Sequence, residues 1–258
     1  MKNLFVHILI AVLILSSVTA CAQNRVIGSK KYITKNVDVE SFSHISALGS
    51  VNVYYTQTEG GKPQVEIYGS DNIVPLIEAF VEHNTLTVKF KKNTSIQNPG
   101  KLEIRVAAPA VESMKVTGSG DIFIPKGMST SSLALKVSGS GDIDGKKINC
   151  NNLDIAVSGS GDIKLTDIKA TSLNATVSGS GDVHLEGTTV NASYQVAGSG
   201  DVTAHKLIAD NVQASVAGSG DVTCHATKTL KGKVSGSGDV GYKGNPEISF
   251  SKKGLRKL

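Results

Sequence analysis

The tetrapeptide Gly-Ser-Gly-Asp occurs seven times, at 118–121, 139–142, 159–162, 179–182, 198–201, 218–221 and 236–239. Successive copies stand 21, 20, 20, 19, 20 and 18 residues apart. A period this regular marks stacked supersecondary units, each too small to bury its own apolar face and each completed by its neighbours. The residue after each Asp is Ile122, Ile143, Ile163, Val183, Val202, Val222 or Val240, and the residue five before it is always valine, from Val116 to Val234. Nine before the Asp, from the second copy on, stand Leu133, Leu153, Leu173, Ala192, Val212 and Leu230, with polar residues such as Lys136, Thr176, Gln195 and Ser215 between. β-Branched residues alternating with polar ones at period two predict strands with one buried and one solvated face. Stacked at the ~4.8 Å strand spacing they share one core, so the expected fold is all-β, a parallel β-helix with rungs of about 20 residues.

Carrying the alternation through Val-Ser-Gly-Ser-Gly-Asp-Val turns both glycines inward and sets the serines and the aspartate outward. An inward glycine implies a bend or a close backbone approach, where a Cβ is expected to meet the opposite wall or to force an unfavourable dihedral. Outside, Asp121, Asp142, Asp162, Asp182, Asp201, Asp221 and Asp239 form a candidate surface ladder.

Residues 1–20 have one basic residue, Lys2, and an apolar run from Leu4 to Leu15, which reads as a signal peptide. The following Val18-Thr19-Ala20-Cys21 makes Cys21 a candidate lipidation site, with ordinary cleavage as the alternative. The run is shorter than the ~20 residues of a spanning helix and is interrupted by His7. A polar, pattern-free tether is expected at 21–31, then a strand-rich head at 32–112, the repeats at 113–243 and a basic tail at 244–258 that leaves the repeat. Within the head, strands are expected at 32–39, 51–56, 64–68, 86–90 and 102–106, with Glu59-Gly60-Gly61-Lys62 as a hairpin turn. Asp71 before Ile73, Leu76, Ile77, Phe80 and Val81 suggests a short capped helix with Pro75 in its first turn. Gly49-Ser50-Val51-Asn52-Val53 aligns with the motif as a degenerate rung, which would make head and repeats one solenoid.

The repeated Val-Ser-Gly-Ser-Gly-Asp-(Ile or Val), behind a strand-rich head and a lipoprotein-type signal, resembles the "putative auto-transporter adhesin, head GIN domain" family of cell-envelope proteins over about residues 38 to 242. The resemblance implies a right-handed β-helix without an established biochemical role, and it transfers no functional residues.

The formal charge of +5, or +4 once Lys2 is removed with the signal, is too mild to imply a nucleic-acid partner. Cys150 and Cys224 lie four rungs apart, ~19 Å along the axis, beyond the ~7 Å reach of a disulfide. Cys224 shares its register with Leu165, Leu185 and Ala204 and should be a core thiol.

Two ion sites are conceivable. Glu186, His205 and His225 share the position four after the Asp in consecutive rungs, a weak candidate metal column set against three unconnected surface side chains. The Asp column could bind calcium, but the nine-residue wrap of calcium-binding repeats is missing, and hydrogen bonding to nearby hydroxyls and amides explains an Asp equally well. No cofactor is expected. A catalytic site would have to break the repeat symmetry with a unique acid or base, and the polar columns are nearly uniform. The expected function is therefore that of a non-catalytic adhesin or scaffold, a lipid-anchored protein in the envelope of a Gram-negative bacterium. Its partners would be the membrane, through the anchor, and an envelope protein or polysaccharide. The alternatives are a polysaccharide-binding or polysaccharide-degrading β-helix, or an ion-binding repeat protein. If Cys21 is acylated, Cys21→Ser should move the protein from the membrane to the soluble fraction; unchanged fractionation with an unmodified N-terminus by mass spectrometry refutes it.

Overall fold

The structure, a computed structural model, describes residues 25–251 and 253–258. The expected signal peptide and Cys21 lie outside the described residues. Among those described, no helix is long and apolar enough to cross a membrane.

The repeats wind as stacked parallel strands in the anticipated register. Val137, Val157, Val177, Val196, Val216 and Val234 lie opposite one another in turn. So do Ile143, Ile163, Val183, Val202, Val222 and Val240. Every one of these side chains is buried. Where one rung carries a large residue its neighbours shrink: Tyr194, wholly buried, stacks between Ala175 and Ala214. Such compensation keeps the narrow core close-packed.

The head continues the same stack. Gly49 lies opposite Gly118 and Val53 opposite Ile122, so Gly49 to Val53 is indeed a degenerate rung. One further layer follows, in which His44–Gly49 pairs in parallel with Thr85–Phe90, and Val53–Gln57 with Glu103–Ala108. Antiparallel strands then cover this end, Ile77–Glu82 beside Thr85–Phe90, and Gln64–Ser70 followed by Tyr32–Val37 beside Glu103–Ala108. Covering of this kind protects the stack from adding strands indefinitely.

Four local expectations change. The helix after Asp71 is a single 3-10 turn, Val74–Leu76, with Pro75 inside it and no side-chain cap; Asp71 instead accepts a bond from Ser29 Oγ. Phe80 and Val81 belong to the strand Ile77–Glu82, because His83 and Asn84 both have positive φ and turn the chain straight back into Thr85–Phe90. The segment 59–62 is a crossover and not a hairpin, since Glu103–Ala108 lies between the two strands it joins and pairs with both. Part of the expected tether is a strand, Arg25–Ile27, paired with Ser95–Asn98. The tail does not leave the stack: Glu247–Phe250 pairs with Val222–Val234 and Leu255–Lys257 with Val240–Lys243, adding a last coil without the motif.

The glycines are required for a reason that alternation alone does not reveal. The carbonyl of Gly139 accepts from Ser160 N at 2.8 Å and from Gly161 N at 3.0 Å, and the same pair of bonds recurs from rung to rung. A Cβ on Gly161 would fall on the carbonyl oxygen of Gly141, so the obstacle is the preceding rung along the axis and not the opposite wall. Val51 occupies the equivalent place in the first rung, where no such turn precedes it. Gly161→Val is expected to destabilise by ~3 kcal/mol or more through overpacking, whereas exposed Ser160→Ala should cost under ~0.5 kcal/mol. Denaturant titrations of the two variants check the difference.

Candidate functional site

Between consecutive valines the chain turns at Gly-Ser-Gly-Asp, and backbone carbonyls cannot reach every amide there. The unserved amide is that of the aspartate itself. Asp142 N donates to Asp121 Oδ1 at 3.0 Å, and Asp162, Asp182, Asp201, Asp221 and Asp239 each donate to the aspartate before them at 2.7 or 2.8 Å. The ladder begins with Asp121 N donating to Asn52 Oδ1 at 3.0 Å. The predicted column is therefore real and mostly half-exposed, and each carboxylate from Asp121 to Asp221 accepts the aspartate amide one rung further on. The serines of the motif are exposed beside it.

This explains an acceptor at the position but not a charge, since Asn52 serves as well. Among the described residues none of the seven aspartates makes an ion pair. The result is a ridge of uncompensated carboxylates spaced at ~4.8 Å.

A second repeated surface lies ten and eight residues before the Asp of four successive rungs. Ser172, Asn191, Asn211 and Thr229 stand in one column, and Asn174, Ser193, Gln213 and Lys231 in the next. Asn211 Nδ2 donates to Asn191 Oδ1 at 3.1 Å and Thr229 Oγ1 to Asn211 Oδ1 at 3.0 Å. These side chains line a shallow groove of about 480 Å³ crossing four rungs.

The Glu186, His205 and His225 column is not assembled. Bulges shift the register, so that Glu186 lies opposite Lys206 and His225 opposite Ile208. Glu186 is ion-paired with Lys206 at 2.9 Å, and His205 Nδ1 faces Thr223 Oγ1 at 3.4 Å. Equal spacing from the Asp does not put residues side by side once a strand carries an extra residue. Among the described residues no three His, Cys, Asp or Glu side chains are grouped to hold a metal ion.

Cys150 and Cys224 are free and buried, as the rung count requires. Burial pushes the thiol pKa of Cys150 up to about 11, aided by nearby Asp154, and that of Cys224 up to about 12. Neither thiol is activated at neutral pH.

Burial, with some repulsion from Asp142, raises the pKa of Asp121 against the effect of the bond it accepts from the Asp142 backbone. A folded-state pKa above the unfolded value favours folding fully below the unfolded pKa, and that contribution is lost as pH rises through the folded one. Asp121→Asn keeps the acceptor and removes the desolvated charge. It should stabilise at neutral pH by under ~1 kcal/mol, since solvent screens the half-exposed group, and the gain should vanish below about pH 4. Thermal midpoints measured at the two pH values test this.

Among curated proteins no sequence matches. The chain is similar to the crystal structure of a "putative lipid binding protein" from Parabacteroides distasonis, 27% identical with a TM-score of 0.84, covering 91% of this chain and 100% of that one. It is also similar to a "putative adhesin" from Bacteroides fragilis, 33% identical with a TM-score of 0.68 over 90% of this chain and 100% of that one. A "putative adhesin" from Parabacteroides merdae, 23% identical, shares the fold at a TM-score of 0.81 over 91% and 99% of the two chains. The model of one family matches residues 41–167 and 146–246, covering the head and the repeats alike, and the chain belongs to that family, described as "Putative auto-transporter adhesin, head GIN domain".

Proposed function

We propose that the protein is a non-catalytic adhesin or scaffold module of the cell envelope, anchored through acylated Cys21 and making contacts through its ridge of carboxylates and serines. The observation that carries this reading is the charge on the ridge. The ladder needs only an acceptor oxygen, yet seven successive rungs carry an aspartate with no ion-pair partner among the described residues, on a chain whose formal net charge is +5. Neighbouring unit charges at this spacing repel by ~1 kcal/mol per pair even in water. A basic partner surface would remove that repulsion at many points at once, and weak contacts repeated at a fixed spacing add through multivalency. The adhesin descriptions of similar proteins agree with this role, and the uniform columns offer no unique acid-base pair that would suggest catalysis.

Replacing Asp162, Asp182 and Asp201 together by Asn leaves each Oδ1 acceptor in place. The triple variant should fold with a thermal midpoint at or above that of the wild type. Its association with isolated envelopes should fall, and the salt dependence of that association should flatten. Association unchanged at matched folded concentration would reduce the ridge to a structural ladder.

A further inference from the structure

The chain has no tryptophan and only 5% aromatic residues, a poor supply of platforms for ligand stacking. Folding pairs four of the few it has, Tyr32 with Tyr68 in the head and Tyr54 of the head with Phe123 of the first repeat. Tyr32 stacks on Tyr68 at 5.7 Å between ring centres, and Tyr54 on Phe123 at 4.9 Å with planes 18° apart. Tyr54 is also one corner of a grid of six outward positions on three adjacent strands. Tyr54, Arg105 and Glu66 face one another in one row, and Thr56, Ala107 and Gln64 in the next. Ala107, the smallest of the six, sits in the middle of its row and leaves a cleft of about 430 Å³. That volume lies within the ~300–1,000 Å³ of ordinary small-ligand sites.

The lining is chemically mixed. Tyr54, held upright by Phe123, supplies an aromatic wall. Arg105 bonds both Glu66 and Glu103, so the two carboxylates are fixed before any ligand arrives. Preorientation lowers the ordering cost of binding. Their remaining acceptor capacity points at the same space as the Gln64 amide and the Thr56 hydroxyl, which both donate and accept. Local charge sums to zero, with Arg105 and Lys101 against Glu66 and Glu103. An anion would have to compete with two carboxylates for Arg105, and a cation would meet Arg105 and Lys101. A sugar ring, by contrast, offers an apolar C–H face for the tyrosine and a rim of hydroxyls for the acceptors and the amide.

We propose that this head cleft is a binding site for a neutral saccharide. It uses no residue of the carboxylate ridge and stands or falls separately from it. The test is isothermal titration of the purified full-length protein in detergent with maltohexaose, cellohexaose and mannohexaose, and with oligogalacturonate as the charged probe. At least one neutral series should bind saturably. Ala107→Phe, which fills the cleft from a partly exposed position without removing a lining group, should weaken that binding by about tenfold or more. Tyr54→Ala should do likewise, while the triple Asp-to-Asn variant of the ridge should bind the sugar as the wild type does. Failure of all three neutral series to bind overturns the proposal. So does a preference for oligogalacturonate, or unchanged affinity in an Ala107→Phe protein whose thermal midpoint is unaltered.

Discussion

The structure depends on how one rung hydrogen-bonds to the next at the Gly-Ser-Gly-Asp turn. In the strands this is routine, since parallel ladders satisfy every amide. At a turn the carbonyls point away, and a stack of turns would leave a column of orphaned amides. Here the first glycine carbonyl of a rung takes two amides of the following rung, the aspartate side chain takes a third, and the amide after the aspartate donates to the Asp carbonyl one rung on. Each such bond contributes only ~1 kcal/mol net, but leaving its donor buried and unpaired costs more. Repeated through the stack, the arrangement lets the chain turn a corner at the same place on every coil.

That solution has consequences inside and outside. Carbonyls aimed along the axis occupy the space a Cβ would need, which forces glycine at both positions and brings like residues into vertical register. Register then stacks the core side chains like on like, with exceptions such as Tyr194 absorbed by adjacent alanines. Outside, the same register turns a sequence motif into a ridge, and an acceptor that the backbone needs becomes a line of surface charge.

The departures from the repeat are where individual surfaces arise. The bulge at His205 opens a small pocket beside Glu186 and Lys206. At the head, replacement of regular rungs by antiparallel strands sets unlike residues next to one another, and a row such as Tyr54, Arg105 and Glu66 has no counterpart in the repeats.

Much of this was legible in the sequence. The period of the motif, the β-branched residues and the two-residue alternation required stacked parallel strands with valines inside and aspartates outside, because side-chain parity in a strand is a local property. Counting rungs also separated Cys150 from Cys224, and aligning the motif put Asn52 in the place of the Asp. Only the tertiary structure decided what the aspartates bond to, why the glycines are indispensable, and which head strands are neighbours. Those depend on contacts between residues some twenty positions or more apart, and the bulges between successive strands are enough to break up the column of Glu186, His205 and His225. The cleft beside Tyr54 could not be read from the chain for the same reason. Its walls come from three segments around residues 55, 65 and 105, and it exists because an alanine happens to lie between a threonine and a glutamine that belong to different strands.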